Sequence, residues 1–104
     1  NIMLVSRFVV CLLSVLLISF SVPAFAGKDK TERAWNYAYQ DVSGSVTDSS
    51  ALTQLSALNK KMADGYGDLD RGDFYELASE VFDKTIEITT KHGGKKIRKP
   101  EWLD

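Results

Sequence analysis

The chain has 104 residues, with 13 lysines and arginines, 14 aspartates and glutamates, one histidine and one cysteine, and a formal net charge of −1. A chain of this size makes one small domain, and its near-neutral charge argues against a general nucleic-acid-binding protein. We find no catalytic motif, no well-formed metal motif and no nucleotide fingerprint in the sequence. We therefore expect no cofactor and no nucleic-acid partner.

The first 26 residues have the three parts of a cleavable export signal. Arg7 gives the start a positive charge, residues 8–20 form an apolar run, and Ala24 and Ala26 are the small residues before a cleavage site. We predict cleavage of this signal peptide after Ala26 and a periplasmic location for the rest. The alternative is an uncleaved membrane anchor, but a spanning helix needs about 20 apolar residues, more than this run offers.

Cleavage would remove much of the apolar content of the chain. The signal holds 19 apolar residues and the only cysteine, Cys11. With Arg7 also removed, 12 of the 13 basic residues and all 14 acidic residues remain. The mature protein would have no disulfide, which small exported proteins commonly use for stability. Its stability must then come from helix packing, from a partner or from formation of a homo-oligomer.

The first element of the mature chain is predicted to be a helix over residues 31–42. Trp35, Tyr39 and Val42 are spaced i, i+4, i+7, which places them on one helical face. A strand is the alternative, because Trp35, Tyr37 and Tyr39 alternate with smaller residues. The polar stretch 43–50 is expected to be a loop.

A second helix is predicted over residues 50–63. The side chains expected on its apolar face are Leu52, Leu55, Leu58 and Met62. The candidates for its N-cap are Asp48, Ser49 and Ser50. Gly65 lies just past the end, where a left-handed cap is expected.

A third helix is predicted over residues 74–91, after a loop over residues 64–73. Asp73 is the expected N-cap, and Glu76 completes a pair that resembles a capping box. Its apolar face is predicted to contain Phe74, Leu77, Ala78, Val81, Phe82, Ile86 and Ile88. Gly93 and Gly94 are expected to end it.

Three amphipathic helices joined by short loops pack in antiparallel order. The predicted fold class is therefore all-α, with a small three-helix bundle after the cleaved signal. We assign residues 27–94 to this helical domain and residues 95–104 to a basic C-terminal tail.

The acidic stretch between the second and third helices invites a calcium interpretation. Asp68 and Asp70 match positions 1 and 3 of a calcium loop, but Asp73 stands where the turn glycine belongs and Ser79 where the bidentate glutamate belongs. The simpler interpretation is an acidic loop that leads into a helix. Asp68, Asp70 and Asp73 are thus only weak calcium candidates.

His92 is the single histidine, so any catalytic scheme based on histidine must use it. At the end of a helix, a histidine more commonly interacts with the helix dipole. Pairs of carboxylates can serve a glycoside hydrolase, but no pattern singles out two of them. We predict a non-enzymatic protein without catalytic residues, and the alternative is a small metal-dependent or hydrolytic periplasmic enzyme.

The tail has the most distinctive charge pattern, because it follows the mainly acidic residues 64–87. Its predicted binding residues are Lys95, Lys96, Arg98, Lys99 and Trp102. Cations beside an interfacial aromatic are typical of a surface that contacts anionic lipid or an acidic protein. We predict an envelope protein or an anionic membrane surface as the partner. The alternative is a solvated tail, or one folded back on the acidic helix.

In total length, export signal and short helical mature part, the chain resembles small exported proteins from the transfer regions of conjugative plasmids. These are of the Kik type, linked to killing of certain recipient hosts. The resemblance implies a periplasmic product that is toxic in some hosts, without a known enzymatic step. It assigns no role to an individual residue. An amphipathic helix such as residues 74–91 acting at the inner membrane would be one physical route to toxicity.

Overall fold

The computed structural model describes residues 27–103, and the regular secondary structure of these residues is entirely helical. Helix α1 covers residues 27–45, α2 covers Ser49–Asp68 and α3 covers Arg71–His92. A short 3₁₀ helix, Glu101–Leu103, follows. The prediction of an all-α three-helix bundle is confirmed. The export signal predicted over residues 1–26 lies outside the described residues.

The connections between the helices are shorter than the sequence indicated. Residues 46–48 join α1 to α2, and Leu69 and Asp70 alone join α2 to α3. The predicted loops over residues 43–50 and 64–73 are therefore wrong in extent. Serines and glycines are weak helix formers in isolation, but tertiary packing overrides such propensities.

Helix α1 turns one face to the core, and its buried residues are Thr31, Trp35, Ala38 and Val42. Tyr37, on the other side, is 66% exposed. The alternative of a strand through Trp35 and Tyr39 is therefore wrong. The aromatic spacing alone fits either a helix or a strand. A helix places the apolar residues of α1 on one face, and this face can be buried against α2 and α3.

Trp35 is the central side chain of the core. Its ring stacks on Tyr39 with the centroids 5.8 Å apart, and it meets Phe82 edge-to-face at 5.5 Å. Its indole N–H donates to Asn59 Oδ1 at 3.0 Å. Trp35 thus links α1 to both other helices through apolar contact and one hydrogen bond, as a buried tryptophan requires.

The buried faces of α2 and α3 are rotated slightly from those predicted. On α2 the buried residues are Ala51, Leu55, Leu58, Met62 and Gly65, and Leu52 is only half-buried. On α3 they are Phe74, Ala78, Val81, Phe82, Thr85 and Thr89, whereas Leu77, Ile86 and Ile88 are half-buried. Thr85 and Thr89 can be buried because their hydroxyls donate to the carbonyls of Val81 and Ile86.

Gly65 is not the C-cap of α2, as predicted, but a buried residue inside it. A Cβ atom at this position would lie 2.4 Å from Leu77 Cδ2. Glycine therefore allows α2 and α3 to approach closely at their short connection, which keeps α2 helical to Asp68. The C-cap is Leu69, whose carbonyl accepts a hydrogen bond from Lys28 Nζ of α1 at 2.7 Å.

The helix ends show a further correction among the caps. Asp48 caps α2, as one of the three candidates, by accepting from the N–H of Ala51. The predicted cap Asp73 is wrong, because Asp70 caps α3 by accepting from the N–H of Asp73 at 2.8 Å. The helix thus starts three residues earlier than expected. Gly93, at φ 72°, ends α3 as predicted.

The hydrophobic core extends beyond the helices into the C-terminal segment, residues 94–103. Leu103 is buried in the main cluster with Trp35 and Phe82. Ile97 packs against this cluster and against a second one around Val42 and Leu55. The C-terminal segment is therefore part of the folded body.

Candidate functional site

The C-terminal segment lies across the groove between α1 and α3. At its start, the backbone N–H of Lys95 donates to Ser45 Oγ at 2.8 Å, and Lys95 Nζ lies 3.4 Å from Asp41. In its middle, Lys99 Nζ lies 3.2 Å from Asp83 of α3. At its end, the indole N–H of Trp102 donates to Thr31 Oγ1. The segment is thus held at three points.

The five predicted binding residues have three kinds of surroundings in the structure. Lys95 and Lys99 are paired with carboxylates of the same chain. Trp102 is half-buried, and Lys30 Nζ lies 4.1 Å from the centroid of its ring. Lys96 and Arg98 are exposed and form no ion pair within residues 27–103. Of the five predicted binding residues, only these two cations face solvent without a charged partner in the described chain.

The residues that anchor the segment were not identified from the sequence. Thr31 and Ser45 are ordinary hydroxyl residues on α1, and nothing in their local sequence marks them as contacts of the C-terminus. The pairing of Lys99 with Asp83 follows the general attraction between the basic tail and the acidic helix. That attraction did predict folding back as an alternative, but not its register.

A second groove runs between α2 and α3 and has a volume of about 430 Å³. Its lining residues are Gln54, Ala57, Leu58, Lys61, Lys84, Glu87, Ile88, Lys91 and His92. We call it the lysine groove, because Lys61, Lys84 and Lys91 line it over an apolar floor of Leu58 and Ile88. The sequence did not predict it, since its cations come from two helices.

The third groove, between α1 and α2, is mainly polar. Its lining residues are Arg33, Asn36, Tyr37, Tyr39, Gln40 and Asn59. It therefore offers hydrogen-bonding groups and one exposed aromatic ring, Tyr37, rather than a cluster of like charges.

The three calcium candidates do not form a calcium loop. Asp68 is the last residue of α2, Asp70 caps α3, and Asp73 lies in the first turn of α3. Because α3 begins at Arg71, most of the twelve positions that such a loop needs are helical. Within residues 27–103, no group of three or more histidine, cysteine, aspartate or glutamate side chains is arranged to hold a metal ion.

His92 lies at the end of α3, next to the start of α2. Its Nδ1 atom is 4.0 Å from Asp48 Oδ2, the same oxygen that caps α2 at Ala51. This carboxylate therefore already accepts a hydrogen bond from the backbone of α2. The contact connects two helix ends, as expected for a histidine at a helix C-terminus.

Tyr66 connects the start of α1 to the end of α2. Its hydroxyl donates a hydrogen bond to Asp29. This bond, which only the neutral phenol can donate, is the main cause of a pKa of Tyr66 above its ordinary value of 10.0. Lys28 Nζ also lies 5.2 Å from the centroid of the Tyr66 ring. These contacts hold Lys28 and Asp29 of α1 against α2.

Within residues 27–103, no helix is both long and apolar enough to cross a membrane. No protein-family model, curated protein or solved structure matches this chain.

Proposed function

We propose that this is a small exported, non-enzymatic protein of the cell envelope that acts by contact with a partner protein or an anionic membrane surface. The observation that carries the proposal is the placement of Lys96 and Arg98. They flank Ile97, which packs against the core, and both cationic side chains are exposed.

The anchoring of the segment gives this pair a fixed position. Lys95 is bonded to Ser45 on one side, and Lys99 is paired with Asp83 on the other. A cation held in place loses less conformational entropy on binding than one on a free tail. Near an anionic membrane surface, each lysine or arginine contributes about 1 kcal/mol. Two fixed cations therefore suit electrostatic contact.

The proposal includes export and, through the Kik-type resemblance, toxicity in some hosts. A periplasmic site of action would require residues 1–26. Expression of the chain with and without these residues in a susceptible host tests this part. We expect growth inhibition only with the signal, and equal toxicity without it would contradict a periplasmic mechanism.

The contact itself is tested by charge removal, because deletion of the segment would also remove core residues. We compare the double variant Lys96→Gln/Arg98→Gln with the control Arg33→Gln/Lys60→Gln. Both lose one lysine and one arginine, and all four positions are exposed. Binding is measured by co-sedimentation with envelope fractions and with vesicles that contain anionic lipid.

We expect the first variant to bind at least about tenfold more weakly and the control to bind nearly as the unsubstituted protein does. Loss of binding to vesicles would identify lipid as the partner. Loss of binding only to envelope fractions, abolished by prior protease treatment, would identify a protein. Equal binding by both variants would contradict the role of Lys96 and Arg98.

A further inference from the structure

We propose that the lysine groove between α2 and α3 binds an acidic peptide segment of a partner protein. Apolar side chains of that segment would rest on Leu58 and Ile88, and its carboxylates would pair with the lysines. This site is separate from the pair Lys96 and Arg98, and it does not depend on that pair.

The geometry of the groove suits a short segment with spaced carboxylates. Lys84 and Lys91 lie on α3 seven residues apart, which is about two turns or 10 Å. Lys61 faces them from α2. An extended chain covers this distance in about three to four residues. Two acidic residues separated by two or three other residues would thus reach both ends of the groove.

The net positive charge of the groove favours a negatively charged ligand. Glu87 is the only acidic residue that lines it, against three lysines. Lys84 also has Glu80 within 3.5 Å on the solvent side. Both Lys84 and Glu80 are more than half exposed in this pair, so the interaction is weak and leaves Lys84 available.

The molecule itself shows how one of its grooves receives a peptide segment. In the groove between α1 and α3, Ile97 packs inward, and Lys95 and Lys99 pair with Asp41 and Asp83 on the two helices. There the groove is acidic and the segment is basic. The lysine groove has the opposite charge, and we infer that its ligand is acidic in the same arrangement.

Two other occupants fit the observations less well. A second copy that presented the same groove would place lysines against lysines, which is unfavourable. A flat membrane surface could meet the lysines but would not reach the apolar floor, because Leu58 is buried and Ile88 is half-buried. The large hydrophobic residue exposed within residues 27–103 is Tyr37, which lies on α1. An acidic peptide reaches into the groove without either difficulty.

The probe is a labelled synthetic peptide that copies residues 95–103, with its four basic residues replaced by glutamate. The control peptide has the native basic sequence. Binding to the folded protein is measured by fluorescence anisotropy, and the site is located by NMR shifts of backbone amides. The variant Lys84→Gln/Lys91→Gln is compared with Arg33→Gln/Lys60→Gln, which removes two exposed cations outside the groove.

We expect the acidic peptide to bind and to shift amides of the facing parts of α2 and α3, while the basic peptide does not. The groove variant should bind about fivefold more weakly, since each exposed ion pair contributes modestly, and the control variant should bind almost normally. Circular dichroism would show that both variants are folded.

The proposal is overturned if both peptides bind alike, if the shifts lie outside the groove, or if the two variants bind equally. It is also overturned if the acidic peptide does not bind, and if the unsubstituted protein self-associates or binds vesicles whereas the groove variant does not. These results would assign the groove to a second copy or to lipid. Because the assay uses purified protein and peptide, failure here leaves the test of Lys96 and Arg98 unaffected.

Discussion

The indole N–H of Trp102 donates a hydrogen bond to Thr31 Oγ1 at 2.8 Å, across 71 positions of the sequence. The Thr31 hydroxyl in turn donates to the carbonyl of Gly27 at 2.9 Å. A residue near the C-terminus is thus bonded to Thr31 of α1. The contact closes the groove between α1 and α3 and makes the C-terminal segment a structural element.

Deletion of residues 95–104 should strongly destabilise the protein. The deletion removes the buried Leu103 and the half-buried Ile97 and Trp102. Full burial of a large apolar side chain contributes about 1.5–3 kcal/mol, so we expect a loss of at least about 3 kcal/mol in the free energy of unfolding. Urea unfolding followed by circular dichroism measures it. The variant Lys96→Gln/Arg98→Gln should stay within about 0.5 kcal/mol of the unsubstituted protein.

The substitution Trp102→Phe tests the hydrogen bond to Thr31 more finely. It keeps an aromatic ring under Lys30 but removes the indole N–H. We expect a loss of about 1 kcal/mol, as for a typical intramolecular hydrogen bond. The buried Trp35 then reports urea unfolding by its fluorescence. A change below the error of the measurement would show that the bond does not stabilise the segment.

A larger side chain at Gly65 should be unfavourable, and the same change at Gly67 should not. A Cβ at Gly65 would meet Leu77 at 2.4 Å, whereas nothing lies within 4 Å of one at Gly67. We expect Gly65→Val to cost about 2 kcal/mol through overpacking. Gly67→Val should change stability by less than about 0.5 kcal/mol, since valine is no worse than glycine in a helix. Equal effects in thermal or urea unfolding would argue against close helix contact at Gly65.

Substitutions can distinguish the N-cap of α3, Asp70, from Asp73, the acidic residue three positions later. Asp70 accepts the hydrogen bond from the backbone, and Asp73 donates it. Asp70→Ala should cost about 1 kcal/mol, the usual effect of losing a cap. Asp73→Ala should cost less, about 0.3 kcal/mol, because it loses only a dipole interaction. The reverse order of the two losses in urea unfolding would support Asp73 as the cap.

The bond from Tyr66 to Asp29 predicts a pH dependence of stability at high pH. The pKa of Tyr66 is raised in the folded state, so folding favours the neutral phenol. Its contribution is fully present below the ordinary value of 10.0 and is lost as the pH rises through the folded value. Thermal melts above pH 10 should therefore show a steeper loss of stability in the unsubstituted protein than in Tyr66→Phe.

A spectroscopic titration checks the same assignment. In ultraviolet difference spectra, the Tyr66 phenol should ionise above its ordinary pKa of 10.0. In Asp29→Ala the hydrogen-bond acceptor and the negative charge are both removed, so the pKa of Tyr66 should move toward its ordinary value. An unchanged titration in this variant would exclude Asp29 as the cause.

The sequence by itself determined the fold class and several helix ends. The apolar stripes through Trp35, Leu55 and Val81 have helical spacing, and burial of these stripes makes a bundle. The caps Asp48 and Gly93 were also identified, because a cap depends on side chains and backbone within a few residues. These are local properties that the order of residues contains directly.

Tertiary structure decided the rest, because the deciding contacts join distant parts of the chain. Gly65 is buried inside α2 against Leu77 of α3, so the predicted loop was too long. Lys95 and Lys99 pair with Asp41 and Asp83, and Trp102 is bonded to Thr31. Of the predicted site, only Lys96 and Arg98 are exposed without such a contact. The lysine groove exists because α2 and α3 bring Lys61 close to Lys84 and Lys91. Such proximity depends on packing and register, which local spacing does not specify.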